Sequence, residues 1–289
     1  VENNLVILAG GVSSRMKKQA AEAEKMDSKL VADADSKSKA MIGVGSNYRP
    51  FMDYLLFNAR ATGYNNVVII IGQNDNSIKD YYAFGKGREY FKDISFTFAV
   101  QPIPEGREKP LGTADALFHG LSAVKNWKGK KFTVVNSDNL YSQKALKMML
   151  ATEYPNAMID YSRDGFDFDK SRIEGFAVTM KDAGNFLLNI IEKPDRKTIE
   201  SVKGRDGFVG VSMNIFRLSY DLIFPFLEKC PLNPVRKEKE LPTAIKMMID
   251  EHPKSLITYP LSEHVPDLTS KNDLEKVKQY LEREFKELL

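Results

Sequence analysis

Three short strand-like runs, Leu5–Leu8, Val67–Ile71 and Phe132–Val135, punctuate the first half of the chain, and helical spacing fills the intervals between them. Phe51–Ala61 sets Met52, Leu55, Leu56 and Ala59 on one face, Ile78–Phe84 has helical character, and Ala114–Val124 is helical by spacing. Ile94–Val100 instead alternates Ile, Phe, Phe and Val with polar residues, as a half-buried strand does. Strands without a polar face must be covered on both sides. The β-α-β-α order therefore predicts a mostly parallel sheet with helices on both faces. Ligands of such sheets collect beyond the carboxyl ends of the strands.

The second half changes character. Phe176–Met180, the turn KDAGN and Phe186–Ile191 read as a hairpin-like pair, and Gly207–Leu218 as a further strand. Helical segments are expected near 219–229 and 240–251, with a late strand at Leu256–Leu261. A terminal helix over 272–289 sets Leu274, Val277, Leu281, Phe285 and Leu288 at helical spacing, which predicts that it packs on the body. Residues 17–37, rich in Lys, Ala, Asp and Ser, have the composition of a loop or lid.

Composition excludes more than it identifies. Over 289 residues the formal net charge is only +3, and no basic block interleaves with aromatics, so no nucleic-acid partner is expected. The lone cysteine, Cys230, excludes an internal disulfide and cysteine-based metal sites. His119, His252 and His264 lack metal-ligand spacing. No apolar run approaches the roughly 18 residues of a membrane span, so no membrane partner is expected. The opening VENNLVILAGG lacks a basic region and a cleavage site, so the expected location is cytoplasmic.

Chemistry concentrates after the first run, in LAGGVSSRM. Gly10 and Gly11 let a backbone come close to a ligand and leave its N–H groups free to face an anion, and Arg15 adds a charged fork suited to phosphate. A plain strand-to-helix turn with a surface arginine fits these residues as well. The spacing matches neither GxGxxG nor GxxxxGK[ST].

Five further blocks extend the pattern: SKAMIGVGSNYRPFMDYLLFNARATGYNNVVIIIG, VQPIPEGREKPLGTADAL, VVNSDNLY, IEGFAVTMKDAGNFLLNIIEKP and VPDLTSKNDL. In this order, over about residues 5–280, they resemble the sugar-phosphate nucleotidyltransferases, the NDP-sugar pyrophosphorylases. The resemblance implies a Rossmann-like α/β fold of GT-A type with a mixed, mostly parallel sheet. It implies a single domain over 1–289 with a sugar-facing subregion at about 155–265. It also implies transfer of a nucleotidyl group from a nucleoside triphosphate to a sugar 1-phosphate with release of pyrophosphate, with Mg²⁺ as cofactor. Homo-oligomer formation is left open.

The resemblance assigns roles by position. Leu8, Ala9, Gly10, Gly11, Gln101, Gly112 and Thr113 fall on the nucleotide side, and Gly175 and Glu192 on the sugar side. Arg15, Lys39, Asp138 and Lys193 are the expected catalytic residues, with Asp138 and Asp267 as the metal pair. Taken alone, Asp138 and Asp267 also read as turn or cap residues, and Glu192-Lys193 as an exposed charged pair. Gln101 at a strand end offers both a donor and an acceptor to a base edge. Lys39 is preferred to Lys25, Lys29 and Lys37 because it alone precedes Ala40-Met41-Ile42, Gly43-Val44-Gly45 and the helix near Pro50. Ser13-Ser14-Arg15 stands where the family usually has Gly-Thr-Arg. That departure keeps open transfer to a non-sugar phosphate acceptor, and a non-catalytic nucleotide-sugar-binding regulator is a second alternative.

Overall fold

In the computed structural model, which describes residues 2–18, 27–204 and 206–286, the strand-like runs are strands covered on both faces. The first half runs β1 (Asn4–Ala9), α1 (Ser28–Ser36), α2 (Phe51–Ala61), β2 (Asn66–Gly72), α3 (Ser77–Ala83), α4 (Lys86–Tyr90), β3 (Ser95–Gln101), α5 (Thr113–Ala123) and β4 (Lys131–Asn136). It continues through α6 (Gln143–Ala151), β5 (Asn156–Ser162), α7 (Lys170–Glu174), β6 (Val178–Lys181), β7 (Leu187–Ile191) and α8 (Arg196–Val202). The chain then forms β8 (Gly210–Val211), β9 (Phe216–Ser219), α9 (Tyr220–Lys229), α10 (Leu241–Glu251), β10 (Leu256–Leu261) and α11 (Leu274–Glu284).

The described strands form one ten-stranded sheet in the order β3-β2-β1-β4-β9-β5-β8-β6-β7, with β10 paired to β5. β3, β2, β1 and β4 are parallel neighbours, β9 runs antiparallel to both β4 and β5, and β10 is parallel to β5. The sheet is thus mixed with a parallel core, as the sequence predicts. Along β1, Leu5, Ile7 and Ala9 join Leu30, Leu55, Leu146 and Val277 in one core. Val6 and Leu8 join Leu117, Ile223 and Ile245 in the other. Burying such side chains contributes about 1.5–3 kcal/mol each, which is why the strand has no polar face.

Register levels the strand ends. Ala9 lies opposite Ile71, Gly72 opposite Gln101 and Leu8 opposite Asn136, so the segments leaving β1, β2, β3 and β4 share one edge. Among the described residues, no helix is long and apolar enough to cross a membrane.

The structure corrects several boundaries. The strand expected over Gly207–Leu218 is divided. β8 and β9 both pair along β5, but Ile159 and Asp160 of β5 stand opposite four residues, Ser212–Ile215, and Asn214 has a φ of 56°. The extra residues form a bulge, and its Met213 carbonyl accepts the Tyr141 hydroxyl at 2.6 Å. The stretch 17–37 is not wholly loop-like, because residues 28–36 form α1. Asp27 caps that helix, and its buried Asp33 accepts the Gly43 N–H at 3.1 Å. Residues 19–26 of the expected lid, with Lys25, lie outside the described residues. The terminal helix is shorter than 272–289, since its backbone leaves helical geometry at Phe285. That ring packs edge-on against Tyr54 at 5.0 Å, and Leu288 lies outside the described residues.

One buried charge is conspicuous. Asp53, in the first turn of α2, is fully buried and accepts hydrogen bonds from Tyr82 (2.7 Å) and Tyr81 (3.1 Å), with Arg49 at 3.7 Å. Burial raises its carboxyl from 3.8 to about 6 despite these partners. A proton is therefore held more tightly in the folded than in the unfolded chain. Asp53 favours folding most below its unfolded value, and that contribution is lost as pH rises through about 6. The stability difference between wild type and Asp53→Asn should accordingly move by about 2 kcal/mol against wild type between pH 4 and 7. Urea denaturation across that range checks this, and a pH-independent difference contradicts it.

Candidate active site

The levelled strand ends open into a cavity of about 290 Å³. Its walls include Leu8, Ala9, Gly10, Gly11, Arg15, Lys39, Gln101, Gly112, Thr113 and Asp138, so ten of the sequence-predicted residues are brought together. Each arrives for a local reason. β1 ends at Ala9, and the chain turns through Ser13, whose φ of 55° lies in the left-handed region. The Ser13 hydroxyl accepts the Lys39 N–H at 3.3 Å, which ties the lysine segment to the glycine turn. Lys39 Nζ then donates to Asp138 Oδ2 at 2.8 Å, just beyond β4.

Space is tight at two glycines. A Cβ on Gly10 would lie 3.0 Å from Gln101 Oε1. Gly112 has a φ of +106°, and a Cβ there would fall 2.7 Å from the Lys239 carbonyl oxygen. Gly112 is also the cap residue preceding α5, an eleven-residue helix whose N-terminus borders the cavity, where backbone N–H groups favour an anion.

The second half of the chain closes this wall. Lys239 accepts the Ala114 N–H at 2.9 Å and donates its own to Leu111 at 2.5 Å, and Leu241 donates to the Thr113 hydroxyl at 2.9 Å. Glu238 consequently lines the cavity. It lies in the charge run RKEKE, which by composition reads as a solvated face.

Asp267 is held beside Asp138. Leu268 donates to the Asp138 carbonyl at 2.8 Å, Leu140 to the Pro266 carbonyl at 2.9 Å, and Asn139 forms a bridge with Asp267. Burial, then the Asp138 charge, pushes the Asp267 carboxyl upward. Arg172 opposes this by donating to Asp267 Oδ2 at 2.7 Å while also pairing with Asp273, its guanidinium 4.3 Å over the Phe168 ring. Sequence reasoning missed Arg172. It stands three residues before Gly175, with no spacing signal to mark it.

Asp138 and Asp267 supply two hard oxygen groups from distant parts of the chain. Among the described residues no group of three His, Cys, Asp or Glu could hold a metal ion. This donor set fits a cation that takes its remaining ligands from phosphates and water, rather than a cage built wholly from protein.

Asp267, Gly175, Glu192 and Lys193 are not among the cavity's lining residues, and Asp267 lines a separate recess with Phe168, His264 and Asp273. Gly175 ends α7, donating to the Arg172 carbonyl at 3.1 Å. Glu192 and Lys193 follow β7 and are exposed, with Glu192 3.6 Å from Arg236 and Lys193 at a φ of 47°. The expectation for Gln101 needs narrowing. Both hydrogens of its amide are engaged, by the Gly112 carbonyl and by Asp115 Oδ2, each at 2.9 Å, so only its acceptor is available. Of the competing lysines, Lys29 lies 3.3 Å over the Tyr48 ring and Lys37 pairs with Asp33 at 2.9 Å.

A family profile described as Nucleotidyl transferase matches residues 29–255. The glucose-1-phosphate adenylyltransferase of Paramagnetospirillum magneticum is 24% identical over 231 residues, covering 79% of this chain and 49% of that relative. The enzyme of the same name from Thiobacillus denitrificans is 24% identical over 224 residues, covering 77% of this chain and 47% of its own length. This chain spans about half the length of the curated relatives it matches. A crystal structure of UDP-glucose pyrophosphorylase with UDP-glucose superposes with a TM-score of 0.69 at 16% identity, covering 97% of this chain and 98% of that one. That likeness establishes the fold.

Space at Gly112 and Gly11 differs, which yields a direct test. Gly112→Ala should cost about 1–3 kcal/mol of unfolding free energy, from the left-handed backbone and the Lys239 collision. Gly11→Ala should cost little, because a Cβ there meets nothing within 4 Å. Chemical denaturation compares them, and equal losses contradict the geometry.

Proposed function

The chain belongs to the nucleotidyl transferase family, and we propose that it moves a nucleotidyl group from a nucleoside triphosphate to a sugar 1-phosphate, releasing pyrophosphate. One observation carries this reading: a single cavity collects the glycine turn, Arg15, the Lys39–Asp138 pair and Gln101 at the carboxyl edge of the parallel strands. The names of the relatives support glucose 1-phosphate as the acceptor to test first.

The acceptor oxygen is already anionic, so its attack on the α-phosphorus needs no general base. What remains is alignment and neutralisation of charge. Gly10 and Gly11 admit the nucleotide against the backbone. Arg15 grips the departing phosphates and Lys39 the α-phosphate, while Gln101 and Gly112 meet the base. Gly175, Glu192 and Lys193 serve the acceptor. Asp138 and Asp267 would hold Mg²⁺, which when bound would neutralise charge developing on the phosphates.

The test is a matrix of ATP, CTP, GTP, UTP and dTTP against sugar 1-phosphates and a non-sugar phosphate, with pyrophosphate release as readout. One triphosphate should turn over with a sugar 1-phosphate, and excess chelator should abolish turnover. Lys39→Ala should lower kcat by about 100-fold or more, whereas Lys29→Ala and Lys37→Ala should have mild effects. Turnover confined to the non-sugar acceptor, or turnover that survives the chelator, would count against the reading.

A further inference from the structure

We propose that Asp115 is a specificity-determining positioning residue, which turns the Gln101 amide so that only its carbonyl oxygen can meet the nucleotide base. This rests on the reading that Gln101 faces the base. The added claim is about orientation.

Gln101 is the last residue of β3 and only 2% exposed, so its amide has little choice of partners. Its nitrogen donates to the Gly112 carbonyl and to Asp115 Oδ2, both at 2.9 Å. An amide's two ends are distinguished by their partners, and both partners here are oxygen acceptors. Turning the amide over would set Oε1 against two oxygens and leave the nitrogen aimed away from both. The orientation is therefore unambiguous, and Oε1 lies on the Gly10 side of the cavity, 3.0 Å from where a Cβ at Gly10 would stand.

The two anchors differ in kind. The Gly112 carbonyl is backbone, present whatever the side chains are. Asp115 is a chosen residue. It lies in the first turn of α5, where the helix macrodipole favours a carboxylate. It is 7% exposed, so its charge-assisted hydrogen bond to the amide is little weakened by water. The resulting surface can accept from a base but cannot donate to it. A base that presents an N–H at this point gains a hydrogen bond, whereas one that presents a lone pair is repelled. Discrimination arises from both effects, the unfavourable one included.

The test compares kcat/KM for ATP, CTP, GTP, UTP and dTTP, each with glucose 1-phosphate, in wild type, Asp115→Leu, Asp115→Ala, Asp115→Asn and Gln101→Ala. Asp115→Leu keeps the bulk but removes the acceptor. It should shrink the ratio between the preferred and next triphosphate by about tenfold, chiefly through KM of the nucleotide. KM for glucose 1-phosphate should be unchanged. Asp115→Ala should act in the same direction and stands in if the leucine variant does not fold. Asp115→Asn retains an acceptor oxygen and should restore the wild-type ranking. Wild-type ratios in both Asp115→Leu and Asp115→Ala, with altered ratios in Gln101→Ala, would overturn the orienting role alone. Wild-type ratios in Gln101→Ala would remove Gln101 from the base, and this proposal with it.

Discussion

The 2.8 Å contact between Lys39 Nζ and Asp138 Oδ2 is where the site is joined. Lys39 is fastened by its own N–H to the Ser13 hydroxyl, and so to the turn that leaves β1. Asp138 is fastened by its carbonyl to the segment carrying Asp267. Two chain segments roughly a hundred residues apart thus meet at one ion pair at the edge of the sheet. Such a pair is an uncertain contributor to stability, because removing two charges from water costs about as much as their attraction returns. Its value lies in placing a cation and an anion, each with a separate task, within one cavity.

The same economy applies to the second carboxylate. Burial, and then the neighbouring Asp138, disfavour Asp267 as an anion, and Arg172 offsets this from α7. Arg172 is itself held by Asp273 and the Phe168 ring, so it behaves as a fixture. Its carbonyl also accepts the Gly175 N–H. One residue therefore connects the expected metal ligand to the glycine assigned to the acceptor. On another wall, the Lys239 backbone bonds on either side of Gly112 and brings the second half of the chain against the cavity.

The sequence disclosed what depends on neighbours in the chain. β1, β2 and α2 were legible because their side chains satisfy strand or helix spacing without outside help. β5 was not, because its run NAMIDYS carries Asn156, Asp160 and Ser162 into a buried strand. Asn156 and Asp160 are acceptable there because distant partners answer them. Thr179 donates to Asp160 at 2.6 Å, Lys181 pairs with it, and Asn156 donates to Ser255 at 2.9 Å. Arg172 and the orientation of Gln101 were invisible for the same reason. Most of the cavity wall was legible through ordered motifs. Asp267, Gly175, Glu192 and Lys193 were named from the same motifs, yet the structure does not bring them into the cavity with the other residues.

The central claim is direct displacement at the α-phosphorus by an acceptor that the site only has to align. The stereochemical course tests it most directly. A nucleoside triphosphate made chiral at the α-phosphorus with sulfur, reacted with glucose 1-phosphate and followed by ³¹P NMR, should give NDP-glucose of inverted configuration. Retention would require two displacements through a nucleotidyl-enzyme, with Lys39 or a cavity serine as nucleophile, and would contradict a site that works by position and charge alone.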